Sequence, residues 1–149
     1  SQPQAARTAE QPERRRRSQP LNGLRVLCID NEPKILEGMS LLVSGWGCTV
    51  GQLTSLAGIE AIVAAREPPP EVIVADFHLG DGNGVEAIVR LRQLYQAEIP
   101  ALLLTADRTP EVRAEAERYD IAVQHKPVRP AALRAYLTQV AGIKRIAAE

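Results

Sequence analysis

The sequence predicts an α/β fold in which a parallel sheet of five strands carries helices on both faces. Two observations lead there. From Leu24 onward, strand-like and helix-like patterns alternate five times, the order that builds βα units. The strand-like segments are short, uninterrupted apolar runs, such as Val72-Ile73-Val74-Ala75 and Ala101-Leu102-Leu103-Leu104. Runs of this kind are buried on both faces, as the strands of parallel sheets are. A chain of 149 residues is enough for one domain with a sizeable core.

Each element has its own signal. The first strand is expected over 24–29. A helix over 33–45 follows, with Pro33 in its first turn, Ile35, Met39, Leu42 and Val43 along one face, and Gly45 and Gly47 as its stop. The second strand spans 48–53. Ser55 is placed to cap a helix over 56–66 that turns Leu56, Ile59 and Val63 inward, and Pro68 to Pro70 end that unit. The third strand covers 71–76. The loop Gly80-Asp81-Gly82-Asn83-Gly84 leads into a helix over 84–95, with Val85, Ile88 and Val89 on one face. Pro100 opens the fourth strand. Thr109 as cap and Pro110 as first helical residue begin a helix to 119 with a thin apolar face of Val112, Ala116 and Tyr119. The fifth strand covers 121–124, and the last helix, from Pro130, buries Leu133, Tyr136, Leu137 and Val140.

Composition narrows the function. Hydrophobic residues make up 45% and charged residues 24%, ordinary for a globular domain, while aromatics are only 3%. The core is therefore aliphatic, and stacking on nucleic-acid bases is not expected. Net charge is zero overall but uneven. Residues 1–23 carry five Arg and two Glu, leaving the rest of the chain at net −3. A mildly acidic body argues against a nucleic-acid surface. Residues 1–23 read as a flexible, Arg-rich linker whose Arg14–Arg17 run is a solvated stretch, with contact to an acidic partner or nucleic acid as the alternative, residues 24–141 as the folded domain and 142–149 as a C-terminal tail. Cys28 and Cys48 lie in or beside apolar runs and read as small buried hydrophobes, without Cys/His spacing for zinc. No membrane span or signal peptide is evident, and the expected compartment is the cytoplasm.

The apolar runs end on chemistry. Asp30 follows the first, Asp76 the third and Thr105 the fourth, and Lys126 comes shortly after the fifth. In open α/β sheets, sites form outside the carboxyl ends of the strands. Two carboxylates close together repel unless a cation bridges them, and magnesium does so with oxygen ligands. An Asp with a metal, an ammonium and a hydroxyl nearby can attack phosphorus and become an aspartyl phosphate. Taken singly, each residue reads as a cap, a turn or a loop; taken together they read as a site.

The motifs Val-Leu-Cys-Ile-Asp30-Asn31-Glu32-Pro33, Val-Ile-Val-Ala-Asp76, Gly82-Asn83-Gly84, Leu-Leu-Leu-Thr105-Ala106 and Lys126-Pro127 resemble those of response-regulator receiver domains, over residues 24–141. The resemblance implies a flavodoxin-like (βα)5 three-layer sandwich with sheet order 2-1-3-4-5. It implies that Asp76 accepts phosphate from a phosphohistidine, that Thr105 and Lys126 bind the phosphoryl oxygens, and that Mg2+ is held by Asp30, Asn31, Asp76 and the backbone carbonyl of His78. It also implies a cis Lys126–Pro127 bond, a monomer, and a histidine kinase dimerisation domain or histidine phosphotransfer protein as partner.

Three positions depart from the family pattern. Asn31 stands where a second acid is usual, so one negative charge at the metal is lost, with Glu32 a candidate to compensate. Val123 stands where an aromatic ring is common, which puts a ring-based output switch in doubt. His78 and Asp107 occupy flanking positions that tune hydrolysis in the family. A dinucleotide-binding enzyme fits poorly, because Gly80-x-Gly82-x-Gly84 follows the third strand and lacks the full spacing. An Asp-nucleophile phosphatase would carry a second Asp where His78 stands. A phosphorylation-independent receiver acting as an interaction module is the serious rival. The layout resembles the C-terminal receiver of a hybrid sensor histidine kinase, with a stand-alone single-domain regulator as the alternative.

Overall fold

A computed structural model describes residues 19–148. Strand β3 (Val72–Asp76) is fully buried and lies at the centre of the five-stranded sheet. Around it run β1 (Arg25–Ile29), β2 (Thr49–Leu53), β4 (Ala101–Thr105) and β5 (Ala122–His125), all parallel, in the order β2-β1-β3-β4-β5. The expected sheet order is the observed one. The helices are α1 (Pro33–Gly45), α2 (Ile59–Ala64), α3 (Gly84–Tyr95), α4 (Pro110–Arg118) and α5 (Pro130–Ala148).

Alternation of side chains along each strand divides the core into two layers. Leu27, Ile29, Ile73, Ala75 and Leu103 point to one face, where Ile59, Ile88, Leu91 and Ala116 of α2, α3 and α4 cover them. Val26, Cys28, Val72, Val74, Leu102 and Leu104 point to the other, under Leu36, Met39 and Val43 of α1 and Leu133, Leu137 and Val140 of α5. Cys28 and Cys48 are free thiols in the second layer. Burial pushes Cys28 up to about 12 and Cys48 up to about 11, so both behave as apolar groups.

Several local expectations are corrected. The buried face of α1 is Leu36, Met39, Ser40 and Val43, while Ile35 is 39% exposed. Met39 and Val43 are buried as expected and Leu42 packs against the same layer, but Leu36 takes the inward place expected of Ile35. Ser40 is accommodated because its hydroxyl donates to the Leu36 carbonyl and accepts from Gln52 Nε2. The segment after β2 begins as a 3-10 turn, Leu56–Gly58, and α2 proper is short. Ser55 makes no side-chain cap. The Asp81 carboxylate takes that role from another loop, accepting from the N–H groups of Leu56 (3.2 Å) and Ala57 (3.1 Å). Thr109 precedes α4 but its side chain does not cap it. Tyr119 lies beyond α4 and is exposed.

Packed structure is present on both sides of residues 24–141. Leu21 is buried in the α1/α5 layer, Gly23 donates to the Gly47 carbonyl, and α5 continues to Ala148. The Arg14–Arg17 run lies outside the described residues. Among the described residues, no helix is long and apolar enough to cross a membrane.

Arg92 of α3 fastens the bottom of the sheet. Its guanidinium donates to three backbone carbonyls, those of Ile99 (2.9 Å), Tyr119 and Asp120 (3.1 Å), and so joins α3 to the segments entering β4 and β5. Asp120 sits at a positive φ of 54° in that turn. Carbonyls accepting from a charged donor lose more than ordinary hydrogen bonds when it is removed. Arg92→Ala is expected to destabilise the domain by about 2 kcal/mol, read as a lower urea midpoint at unchanged slope.

Candidate functional site

Three buried polar side chains sit at the carboxyl ends of central strands. Asp76 closes β3 and is 8% exposed, Thr105 closes β4 at 1%, and Asp30 follows β1 at 1%. Lys126 follows β5, on a backbone tied to the sheet by its N–H donating to the Thr105 carbonyl at 2.9 Å. The Lys126–Pro127 bond is cis, as the resemblance implied.

The lysine ammonium joins the carboxylates. Nζ lies 2.5 Å from Asp76 Oδ1 and 4.0 Å from Asp30 Oδ2. Asp30 Oδ1 accepts from the Glu32 N–H at 2.9 Å, while Asp30 Oδ2 is buried with no hydrogen-bond partner. Burial raises the Asp30 pKa. The Glu32 N–H and Lys126 oppose that rise, and the charges of Asp76 and Glu32 add to it. A buried carboxylate oxygen without a donor is a place for a cation.

Thr105 Oγ1 accepts from the Asp107 N–H at 2.9 Å, which leaves its own proton to donate elsewhere. The Asp107 carboxylate accepts from the Thr109 N–H at 2.8 Å, and this bond holds its pKa below the usual range. The start of the β4–α4 loop is thus braced by two turns.

On the other side, α3 begins against the acceptor strand. Asn83 caps it, accepting from the Glu86 N–H at 3.0 Å while its own amide donates to the Glu86 carboxylate at 2.9 Å. Gly84 donates its N–H to the Phe77 carbonyl at 2.8 Å. A Cβ on Gly84 would lie 2.4 Å from the Asp76 carbonyl oxygen and 2.7 Å from Leu103 Cδ1, so only glycine lets the helix start this close.

Asp30, Asp76 and Lys126 therefore converge as expected, with Thr105 on the adjoining strand end. Asn31 is exposed beside the loop after β3, its Nδ2 3.6 Å from where a Gly80 Cβ would stand. His78 is exposed at the rim with its ring against the edge of Phe77. Among the described residues, no group of three or more His, Cys, Asp or Glu is arranged to hold a metal. Sequence reasoning missed the structural roles of Gly84 and Asp81. Both lie in the glycine-rich loop, whose sequence announces a turn but not the neighbour it approaches.

Sheet order and strand-end site define a doubly wound α/β domain of the flavodoxin-like, CheY-like kind. The response regulator receiver domain family matches residues 26–138, and the chain belongs to it. It is a receiver domain of two-component signalling. A probable transcriptional regulatory protein of Mycobacterium tuberculosis, TcrX, is 39% identical over 90 residues, covering 59% of this chain and 36% of TcrX. The phyllosphere-induced regulator PhyR of Methylorubrum extorquens is 31% identical over 116 residues, covering 76% of this chain and 42% of PhyR. The chain thus spans about two fifths of the length of these relatives. The chemotaxis protein CheY4 of Vibrio cholerae superposes with a TM-score of 0.69 at 25% identity, over 79% of this chain and 98% of that one.

The raised Asp30 pKa has a consequence for stability. In the native site the neutral acid is favoured over the carboxylate, relative to the ordinary value of 3.8. The stability linked to Asp30 is therefore present in full below that value and is withdrawn as pH rises through the higher native pKa. Asp30→Asn removes this withdrawal. In metal-free buffer the variant should gain stability over the parent as pH rises from about 4 to about 7, measured by urea unfolding at both ends. A difference that shrinks over that range contradicts this reading.

Proposed function

We propose that this receiver is a phosphoacceptor and that Asp76 is the acceptor residue. The observation that carries this reading is the 2.5 Å contact between Lys126 Nζ and Asp76 Oδ1 at the end of a buried central strand. The carboxylate attacks the phosphorus of a phosphohistidine: a carboxylate oxygen–phosphorus bond forms, the nitrogen–phosphorus bond breaks, and the imidazole leaves with the electron pair. Lys126 neutralises charge on the phosphoryl oxygens, and the Thr105 hydroxyl donates its free proton to one of them. Asp30, with its unpartnered Oδ2, together with Asp76, the side-chain oxygen of Asn31 and the His78 carbonyl, would hold Mg2+, which supplies further charge neutralisation when bound. His78 at the rim and Asp107 across from it would tune hydrolysis of the aspartyl phosphate, and a longer or shorter phosphoryl half-life in His78→Ala tests that role.

The partner is a histidine kinase dimerisation domain or a histidine phosphotransfer protein, and the setting is cytoplasmic. The domain is taken to work as a monomer, without nucleic-acid or membrane contact of its own. The parent is either a hybrid sensor histidine kinase or a stand-alone regulator; a kinase ATP-binding domain encoded upstream selects the first. The phosphorylation-independent reading makes the opposite prediction at Asp76.

Incubation with acetyl phosphate and magnesium should add the mass of one phosphoryl group, and Asp76→Asn should abolish the gain. An unmodified parent chain overturns the proposal. Asn31→Asp restores a second acid and should tighten magnesium-dependent fluoroberyllate binding by on the order of tenfold, as a charge-assisted contact at about 1.4 kcal/mol would. Equal affinities in both proteins would show that Asn31 does not limit the metal.

A further inference from the structure

The end of β5 and the loops after β4 and β5 line an open concavity of about 260 Å³ that shares Lys126 with the carboxylate site. Its wall includes Arg108 from the β4–α4 loop, Arg129 from the β5–α5 loop, His125 and Lys126, and no acidic side chain lines it. Among the described residues, the guanidinium groups of Arg108 and Arg129 make no ion pair or hydrogen bond; the hydrogen bond that Arg129 does make is through its backbone carbonyl, which accepts from the Leu133 N–H. The adjacent acid in sequence, Asp107, is engaged by the Thr109 N–H on its own loop. His125 is half buried, and its Nδ1 has no hydrogen-bond partner. Ala132, in the first turn of the 19-residue helix α5, also lines the cavity, so the positive end of that helix adds to the same field.

Two unpaired guanidiniums, an ammonium and a helix N-terminus around one small concavity, with no acid in its wall, make an anion site. Guanidinium forks match phosphate geometry. A volume just under that of drug-sized pockets suits a small molecule or a single charged group. We propose that this cavity binds a small phosphate-bearing anion, as a site separate from Asp76 that shares Lys126 as a wall. Its occupancy does not depend on the phosphoacceptor role of Asp76. An anion there competes with the Asp76 carboxylate for the same ammonium, so the two sites are coupled through Lys126.

The test uses the full chain, isotopically labelled, in buffer without divalent cations. Pyrophosphate and ADP are titrated separately, with chloride at matched ionic strength as control, and amide shifts of Arg108, His125 and Arg129 are followed. Saturable shifts with pyrophosphate are expected, weakened about threefold to tenfold in each of Arg108→Ala and Arg129→Ala, the range for losing one partly screened charge-assisted contact. Both arginines are exposed, so both variants should keep the parent spectrum elsewhere. Asp76→Asn, which frees Lys126, should bind more tightly than the parent; it cannot be phosphorylated, so this arm separates the cavity from the acceptor reading. Tighter binding of ADP than of pyrophosphate identifies a nucleotide as the source of the phosphate, and equal binding identifies a free phosphate. A response to chloride equal to that to pyrophosphate, or binding unchanged in both arginine variants, overturns the proposal.

Discussion

Two carboxylates share one ammonium at the edge of this sheet, and the rest of the structure serves that arrangement. Coulomb attraction scales inversely with distance, so Lys126 attracts Asp76 at 2.5 Å roughly one and a half times as strongly as Asp30 at 4.0 Å. Its charge belongs mainly to Asp76. Asp30 is left with one oxygen bonded to the Glu32 N–H and the other with no donor. A buried carboxylate in that state costs free energy, which the two-layered aliphatic core has to offset. The parallel sheet makes this tolerable by fixing the positions of all three groups through backbone hydrogen bonds and register rather than through their own side chains.

The loops show how that fixing is achieved. Lys126 is held by its N–H on the Thr105 carbonyl, Thr105 by the Asp107 N–H, and Asp107 by the Thr109 N–H. A change at any one of these passes directly to the next. In the proposed phosphoacceptor role, movement of Thr105 toward a phosphoryl oxygen would draw on the β4–α4 loop and so on Arg108. The same chain of contacts links the carboxylate site to the cationic concavity that shares Lys126. Val123 contributes differently. It pairs in register with Leu103 and packs against the core under α2, α3 and α4, where it acts as wall. There is no ring at this position to rotate.

The sheet order, the buried strands and the convergence of Asp30, Asp76, Thr105 and Lys126 were legible in the sequence because they follow from two simple facts. Apolar runs of four or five residues without polar interruption must lie inside, and the polar residue that ends each run lies at the same sheet edge. Legibility failed where two local solutions were close in energy. In α1, Ile35 and Leu36 offered adjacent apolar phases, and the choice was made by the packing of Leu36, Met39 and Val43 against α5's layer. At Leu56 and at α4, Ser55 and Thr109 had the right chemistry for caps, but the Asp81 carboxylate and the Pro110 first turn made those caps unnecessary. The Arg92 clamp was invisible for a different reason. Its three acceptors are backbone carbonyls distant in sequence, and no residue type marks them.

Asn31 shows how the departures from the family pattern bear on one another. With Lys126 assigned to Asp76, Asp30 carries the site's uncompensated negative charge. A second carboxylate at position 31 would double that charge and strengthen the attraction for a divalent cation. It would also push Asp30 further toward its neutral form in the metal-free state, because like charges nearby raise a carboxyl pKa. An amide at 31 keeps an oxygen available while avoiding that repulsion. In the proposed metal-binding role it would thereby lower both the repulsion at Asp30 without a cation and the affinity for one. Through Lys126 it would also bear on the proposed anion cavity: with less negative charge on the carboxylate side, the ammonium would be less firmly claimed there, and an anion would meet less competition for it.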